Sequence, residues 1–305
     1  MYEKILVPLD GSELSEIALP YAEDLSEKLG SEIILLHVCE PPGSECFHIH
    51  QLYIERLSEI TKEHLEGRTK VEPLVLPGNP AEEIIDYAEG NNIGLITMAT
   101  HGRSGVKRWM LGSIVNKVVR ETTKPILLIR AKGVRPPIPE KRMLNKLLVP
   151  LDGSKASKVI LPYIEELTSK LKPEVTLLQV IASAHYDVPM GETVAAVPYS
   201  EKEIEELKAA TRAYLEKAGS GLKNKRVTVR LEVAVGTGAE VTVGTAAKEI
   251  VEFADKINAD LIAMSTHGSS GFSRLFFGSV ADRVLHTGNT PLLLVKPLEA
   301  AMETQ

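Results

Sequence analysis

Residues 100–113 read THGRSGVKRWMLGS and residues 266–279 read THGSSGFSRLFFGS, one glycine-punctuated passage repeated at an offset of 166. Each copy follows a short apolar run and leads into a segment with helical spacing, so each is a strand-to-helix connection. Working outward, residues 4–36 (KILVPLDGSELSEIALPYAEDLSEKLGSEIILL) align without a gap to residues 146–178 (KLLVPLDGSKASKVILPYIEELTSKLKPEVTLL), here at an offset of 142. An internal duplication accounts for both matches. The two offsets differ because the second half carries extra residues, most of them around Ala182–Ser200 and fewer near Val235–Ala246. A chain of 305 residues also exceeds what one hydrophobic core usually organises. The expected units are 1–130 and 146–297, joined by a proline- and charge-rich linker at 131–145 and followed by a tail at 298–305.

Short apolar runs place strands near Lys4–Leu9, Glu32–Val38, Val71–Leu76, Gly94–Ala99 and Ile126–Ile129. The second half repeats them near Lys146–Leu151, Glu174–Val180, Val227–Val233, Asp260–Ser265 and Leu292–Val295. Continuous rather than alternating runs suit parallel strands covered on both faces. Between them lie segments such as SEIALPYAEDLSEKLG and PAEEIIDYAEGNN, whose apolar residues recur three and four apart. The fold class that follows is α/β: two doubly wound domains, each with a five-stranded parallel sheet flanked by helices. Pro20 and Pro162, at matched positions in the first helix of each half, predict either a kink or a late helix start.

Composition narrows the function classes. Forty-one acidic against 35 basic residues give a net charge of −6, with no reason to expect general affinity for nucleic acid or an anionic membrane. No run approaches the ~18 apolar residues of a membrane span. The opening MYEKILVPLD is too acidic, and its apolar part too short, for a secretory signal. Only two cysteines occur, Cys39 and Cys46. A cytoplasmic protein is the expectation.

The repeated passage could cradle an anion. A strand–loop–helix junction aims backbone N–H groups and a positive helix end at the crevice beyond the sheet. Gly102, Gly105 and Gly112 permit tight turns and close approach, Ser113 adds a hydroxyl that could cap the helix, and Lys107 and Arg108 could add charge. The second copy offers Gly268, Gly271, Gly278 and Ser279, with Arg274 as the nearest cation. The bland alternative is that these glycines only permit a turn and a close helix–sheet contact. Neither GxxxxGK nor GxGxxG occurs in the passage, which predicts binding rather than fast phosphoryl transfer. Asp10 and Asp152, in the repeated PLDGS, leave the first strand of each half. They could meet a base or sugar, or cap the first helix together with the following serine.

These motifs resemble the universal stress protein family. The resemblance is carried by ILVPLDGSELS and LLVPLDGSKAS, IILLHV, the two glycine passages, and the closing KPILLIR and TPLLLVK. It covers nearly the whole chain and identifies a tandem, two-domain member. It implies, in many relatives, an ATP site built on glycine, two residues, glycine, nine residues, glycine, then serine or threonine. Gly102, Gly112 and Ser113 match in the first half, and Gly268, Gly278 and Ser279 in the second. Ala99 and Ser265 stand where the first glycine belongs, and both are small enough to leave a crevice open. The resemblance further implies that Asp10 and Asp152 contact the nucleoside and that Val38 and Val180 meet adenine through backbone groups. It also implies an internal pseudodimer in which Ile126–Ile129 pairs with Leu292–Val295, with a homodimer of whole chains as a further option.

Other residues carry less. HVCEPPGSECFHIH (His37–His50) suggests a closed zinc set of Cys39, Cys46, His48 and His50. Its spacing is loose, though, and the second half reads QVIASAHYDV, so the expectation is a mobile loop with one buried cysteine and no metal. His101 and His267 have no nucleophile with an orienting partner, which leaves them a role in holding the loop or bordering a phosphate path. The insert SAHYDVPMGETVAAVP reads as a solvent loop, or else a lid or partner surface.

The resulting expectation is a regulatory adenine-nucleotide-binding protein for an unknown protein partner, with ATP favoured over AMP or ADP. Catalysis, if any, is slow ATP hydrolysis assisted by a divalent ion such as Mg2+. The rival is a nucleotide-independent structural or interaction module. Because Arg103, Lys107 and Arg108 surround its loop, the first crevice is expected to bind more tightly.

Overall fold

The structure is a computed structural model that describes residues 1–40, 44–100, 111–130, 144–181, 185–190, 193–223, 227–235, 243–267 and 278–297. The first half runs β1 (Lys4–Pro8), α1 (Glu13–Glu16), α2 (Leu19–Leu29), β2 (Glu32–Cys39), α3 (Ser44–His64), β3 (Val71–Pro77), α4 (Pro80–Gly90), β4 (Leu95–Ala99), α5 (Ser113–Glu121) and β5 (Ile126–Ile129). The second half opens with β6 (Lys146–Pro150), α6 (Lys155–Lys158), α7 (Leu161–Leu171) and β7 (Glu174–Ile181). It continues with β8 (His185–Met190), β9 (Thr193–Pro198), α8 (Glu201–Ala218), α9 (Ser220–Lys223) and β10 (Val229–Val235). It closes with α10 (Val243–Ile257), β11 (Leu261–Ser265), α11 (Ser279–Thr287) and β12 (Leu292–Val295). Residues 131–143 of the expected linker at 131–145, and the expected tail at 298–305, lie outside the described residues.

Each half contributes five parallel strands, and the two sets join into one ten-stranded sheet of order β10-β7-β6-β11-β12-β5-β4-β1-β2-β3. The duplication holds down to register: Lys4 pairs with Glu32 in one half and Lys146 with Glu174 in the other. At the centre, β12 and β5 run antiparallel, with Leu293 opposite Leu127. Strand periodicity sorts the core into two layers. Ile5, Val7, Leu147 and Val149 pack on one face of the sheet, Leu6 and Leu148 on the other, so both layers draw on both halves. Tyr2 reaches across as well: its hydroxyl donates to the Tyr163 carbonyl at 3.3 Å, and the two rings meet edge to face.

The proline pair resolves as a late start. A four-residue helix, α1, ends at Glu16, and α2 begins at Leu19 with Pro20 in its first turn, where the missing N–H costs no hydrogen bond. α6 and α7 repeat this around Pro162.

Two expectations are corrected. The stretch before Tyr53 is not a loop, because α3 begins at Ser44. His50 lies four residues before Ile54, which starts a buried helical face continued by Ser58, Thr61 and Leu65. Nor is the second-half insert a plain loop: β8 and β9 form an antiparallel hairpin, with His185 opposite Pro198 and Met190 opposite Thr193.

Candidate functional site

In the first half the strand order reverses between β1 and β4, and a crevice opens there beyond the carboxyl ends of the strands. It encloses about 330 Å³. It is lined by Asp10 after β1, by His37 and Val38 near the end of β2, by Ala99 at the end of β4, and by Gly112, Ser113, Ile114 and Val115 at the start of α5.

Asp10 follows β1. Its Oδ1 accepts from the Ser12 N–H at 3.0 Å and the Ser12 hydroxyl at 2.6 Å. Gly11, at φ 82°, makes the left-handed turn that brings these groups together. Ser12 in turn caps α1, accepting from the Ser15 N–H at 3.2 Å. The second half repeats this with Asp152 Oδ1 accepting from the Ser154 N–H at 3.0 Å, Gly153 at φ 92°, and Ser154 accepting from the Ser157 N–H. The capping role belongs to the serines; each aspartate holds its serine in place, and Asp10 also lines the crevice.

The glycine passages are described only at their ends, Thr100 with Leu111–Ser113, and Thr266–His267 with Gly278–Ser279. His101, Gly102, Arg103, Gly105, Lys107, Arg108, Gly268, Gly271 and Arg274 lie outside the described residues. Gly112 N–H donates to the Thr100 carbonyl at 3.1 Å, and Gly278 N–H to the Thr266 carbonyl at 2.7 Å, closing each loop onto its strand end. A Cβ on Gly278 would stand 2.6 Å from the Thr266 oxygen, so only glycine fits that approach. Ser113 is not the cap that its sequence position implied. Gly112 occupies the N-cap position, Ser113 is the first residue of α5, and no cap side chain covers that helix end. Ser279 stands the same way behind Gly278.

Ala99 and Ser265 are both buried at the strand ends. Ala99 leaves the crevice open. The Ser265 hydroxyl accepts from the His267 N–H at 3.3 Å, and His267 Nδ1 lies 2.9 Å from the Thr266 hydroxyl, so the second-half histidine helps to hold its loop start. Val38 and Val180 occupy equivalent, half-buried positions near the ends of β2 and β7.

The crevice also contains residues that sequence reasoning left out of the site. His37, buried on β2, and His50, from the early turns of α3, line it together with Glu40. Their rings stack at 4.0 Å between centroids and 20° between planes. The signal for His37 was its place beside Val38; the signal for His50 was its helical spacing from Ile54.

The family model described as the Universal stress protein family matches the chain twice, over residues 1–130 and 143–296. The chain belongs to the universal stress protein family. Among curated relatives, a universal stress protein of Methanocaldococcus jannaschii is 29% identical over 158 residues, covering 44% of this chain and 98% of that protein. A universal stress protein of Mycolicibacterium smegmatis is 23% identical over 309 residues, 96% of this chain and 97% of its own. A solved universal stress protein from Archaeoglobus fulgidus superposes with a TM-score of 0.67 at 20% identity, covering 97% of this chain and 99% of that one. At that identity the likeness establishes the fold. Among the described residues, no helix of this universal stress protein is long and apolar enough to cross a membrane.

Proposed function

We propose that the chain is a regulatory protein that binds an adenine nucleotide, ATP in preference to AMP or ADP, and uses it as a conformational ligand in a stress response. One observation carries the reading: one crevice in the first half is lined both by Asp10 and by the start of α5. Backbone N–H groups at a helix start favour phosphate. A carboxylate in the same crevice would repel phosphate but accept from ribose hydroxyls or an amino group, which orients a nucleotide within it. Val38, which lines the same crevice, supplies backbone groups for a base. Gly102 and Gly105, with their second-half counterparts Gly268 and Gly271, complete the phosphate cradle in this reading. Asp152, Val180, Ser265, Gly278 and Ser279 form a second, weaker site. The functional units are 1–130 and 146–297, the protein is cytoplasmic, and nucleotide occupancy orders the glycine loops for a protein partner.

Calorimetry with ATP on the full chain tests the reading through Ser113→Pro. Proline is tolerated at a first helical position, and Gly112 at φ −57° and ψ 144° already has the backbone that precedes proline. The variant removes one N–H and one hydroxyl from the phosphate end without breaking α5. A hydrogen bond to a charged group is worth ~1.5–3 kcal/mol, so affinity should fall about tenfold or more with thermal stability nearly unchanged. Undiminished affinity would overturn the assignment.

A further inference from the structure

We infer that His37, Cys39 and His50 form a binding site for a borderline-soft divalent cation, zinc in the first place, at the mouth of the first-half crevice. One potential ligand atom from each residue lies within 4.8 Å of the other two. The arrangement follows from the fold. His37 and Cys39 are two residues apart on β2 and so share a face of the strand. α3 crosses that region and brings in His50, thirteen positions further along the chain.

Two of the three ligands are already held. His37 and Cys39 are 3% and 1% exposed, fixed within the sheet. His37 Nδ1 lies 2.8 Å from the Leu9 carbonyl; a carbonyl only accepts, so Nδ1 donates, and in the neutral ring Nε2 is the nitrogen with a lone pair for a metal. A histidine oriented by a backbone carbonyl is the usual support for a metal-binding imidazole. Tyr53 sets its ring edge-on to His37, and its hydroxyl donates to Glu16 at 2.8 Å, fixing a further wall.

Two imidazoles and a thiolate suit zinc, cobalt, nickel or copper, whereas magnesium and calcium prefer oxygen. Donors around a tetrahedral zinc stand about 3.3–3.6 Å apart, given metal–ligand distances near 2.0–2.3 Å. Binding therefore draws the cluster inward, and His50 is the movable member: half-buried and on a helix, it turns from stacking on His37 to pointing at the ion. Cys39 releases its proton on binding. Three protein ligands leave a fourth position, and since His37 and His50 both line the crevice, that position opens into it for water or an oxygen of a bound ligand.

The site belongs to one half only. At an offset of 142, Gln179 and Ile181 replace His37 and Cys39, and the β8–β9 hairpin follows β7 where α3 follows β2. His48 of α3, named in the looser sequence set, is exposed and stands apart from the cluster.

The test is metal titration of the chelator-stripped full chain, without nucleotide, using zinc in competition with a chromophoric chelator and cobalt as an absorbing substitute. The expected result is one equivalent of zinc per chain and a cobalt spectrum with tetrahedral d–d bands and a thiolate charge-transfer band. Cys39→Ser and His50→Ala should each weaken zinc at least tenfold, Cys39→Ser should abolish the thiolate band, and His48→Ala should leave both unchanged. Metal-free thermal melts of the variants verify folding. Zinc affinity unchanged in both ligand variants, or a cobalt complex without the thiolate band, overturns the site. Ser113→Pro should bind zinc like the parent, so a failed nucleotide reading and a failed metal reading leave different records.

Discussion

The two halves share a sheet topology and diverge after their second strands. β2 ends in His37-Val38-Cys39 and passes to a helix that carries His50 back over the strand end; β7 ends in Gln179-Val180-Ile181 and passes to a hairpin. The half-buried valine stays in both, while its neighbours change from the proposed metal ligands to an amide and a hydrocarbon. Asp10 and Asp152, by contrast, keep the same turn and the same serine cap. Residues that shape the turn recur in both halves, whereas those on either side of the valine at the end of the second strand do not.

The strongest way to break the comparison is to ask whether the halves are separable at all. Leu127 and Leu293 face each other across the central antiparallel pair, both almost fully buried. Truncating either to alanine should cost about 2–5 kcal/mol. Because each core layer draws on both halves, denaturation should remain a single transition, and hydrogen exchange should show protection falling in β4 and β11 together. If Leu127→Ala loosened β4 while β11 kept its protection, the halves would be independent folding units that merely touch.

A smaller effect sharpens the comparison at the glycine passages. Gly278→Ala forces a Cβ to 2.6 Å from the Thr266 oxygen, whereas Gly112→Ala places it 3.4 Å from the Thr100 oxygen. Overpacking against backbone should cost the first variant about 1–3 kcal/mol. Gly112 has a φ open to any residue, so its variant should be near neutral, with the stiffer unfolded chain offsetting the tighter contact. Thermal melts of the pair test this, and equal losses would mean that the two loops close with the same geometry.

Much of this was legible in the sequence, for reasons visible in particular residues. Buried parallel strands demand continuous apolar runs, and ILVP, IILL and LITMA supplied them; Pro20 and Pro162 marked a helix start once a late start was allowed. The β8–β9 hairpin carries Pro189 and Pro198, a residue type that interrupts the interior of a sheet. A two-stranded ribbon consists only of edges, where proline is tolerated. The cluster of His37, Cys39 and His50 was half legible: period two puts the first two on one face, but the third joins only if α3 begins near Ser44. The glycine passages announced a loop and a helix start, while the identity of the cap residue depended on a backbone approach that no spacing reveals.

The smallest expected effect concerns the turn between α5 and β5. Burial works against the Glu89 carboxylate, but hydrogen bonds from the Thr123 N–H and hydroxyl and the Thr122 hydroxyl, with Lys124 nearby, outweigh it and hold the group below the ordinary glutamate value. The second half places Asp255 and a Gly288-Asn289 turn at these positions, a shorter acid facing residues without hydroxyls. A depressed carboxylate stabilises the fold above its unfolded-state pKa and loses that contribution as pH falls through the folded value. Glu89 is about one-third exposed, and solvent screening keeps its share to about 1 kcal/mol. Glu89→Gln should therefore lower stability by about that amount at neutral pH, with the gap to the parent closing on acidification below the glutamate range. Urea titrations of the variant and the parent at several pH values decide it, and a gap that persists in acid would assign the loss to altered packing rather than charge.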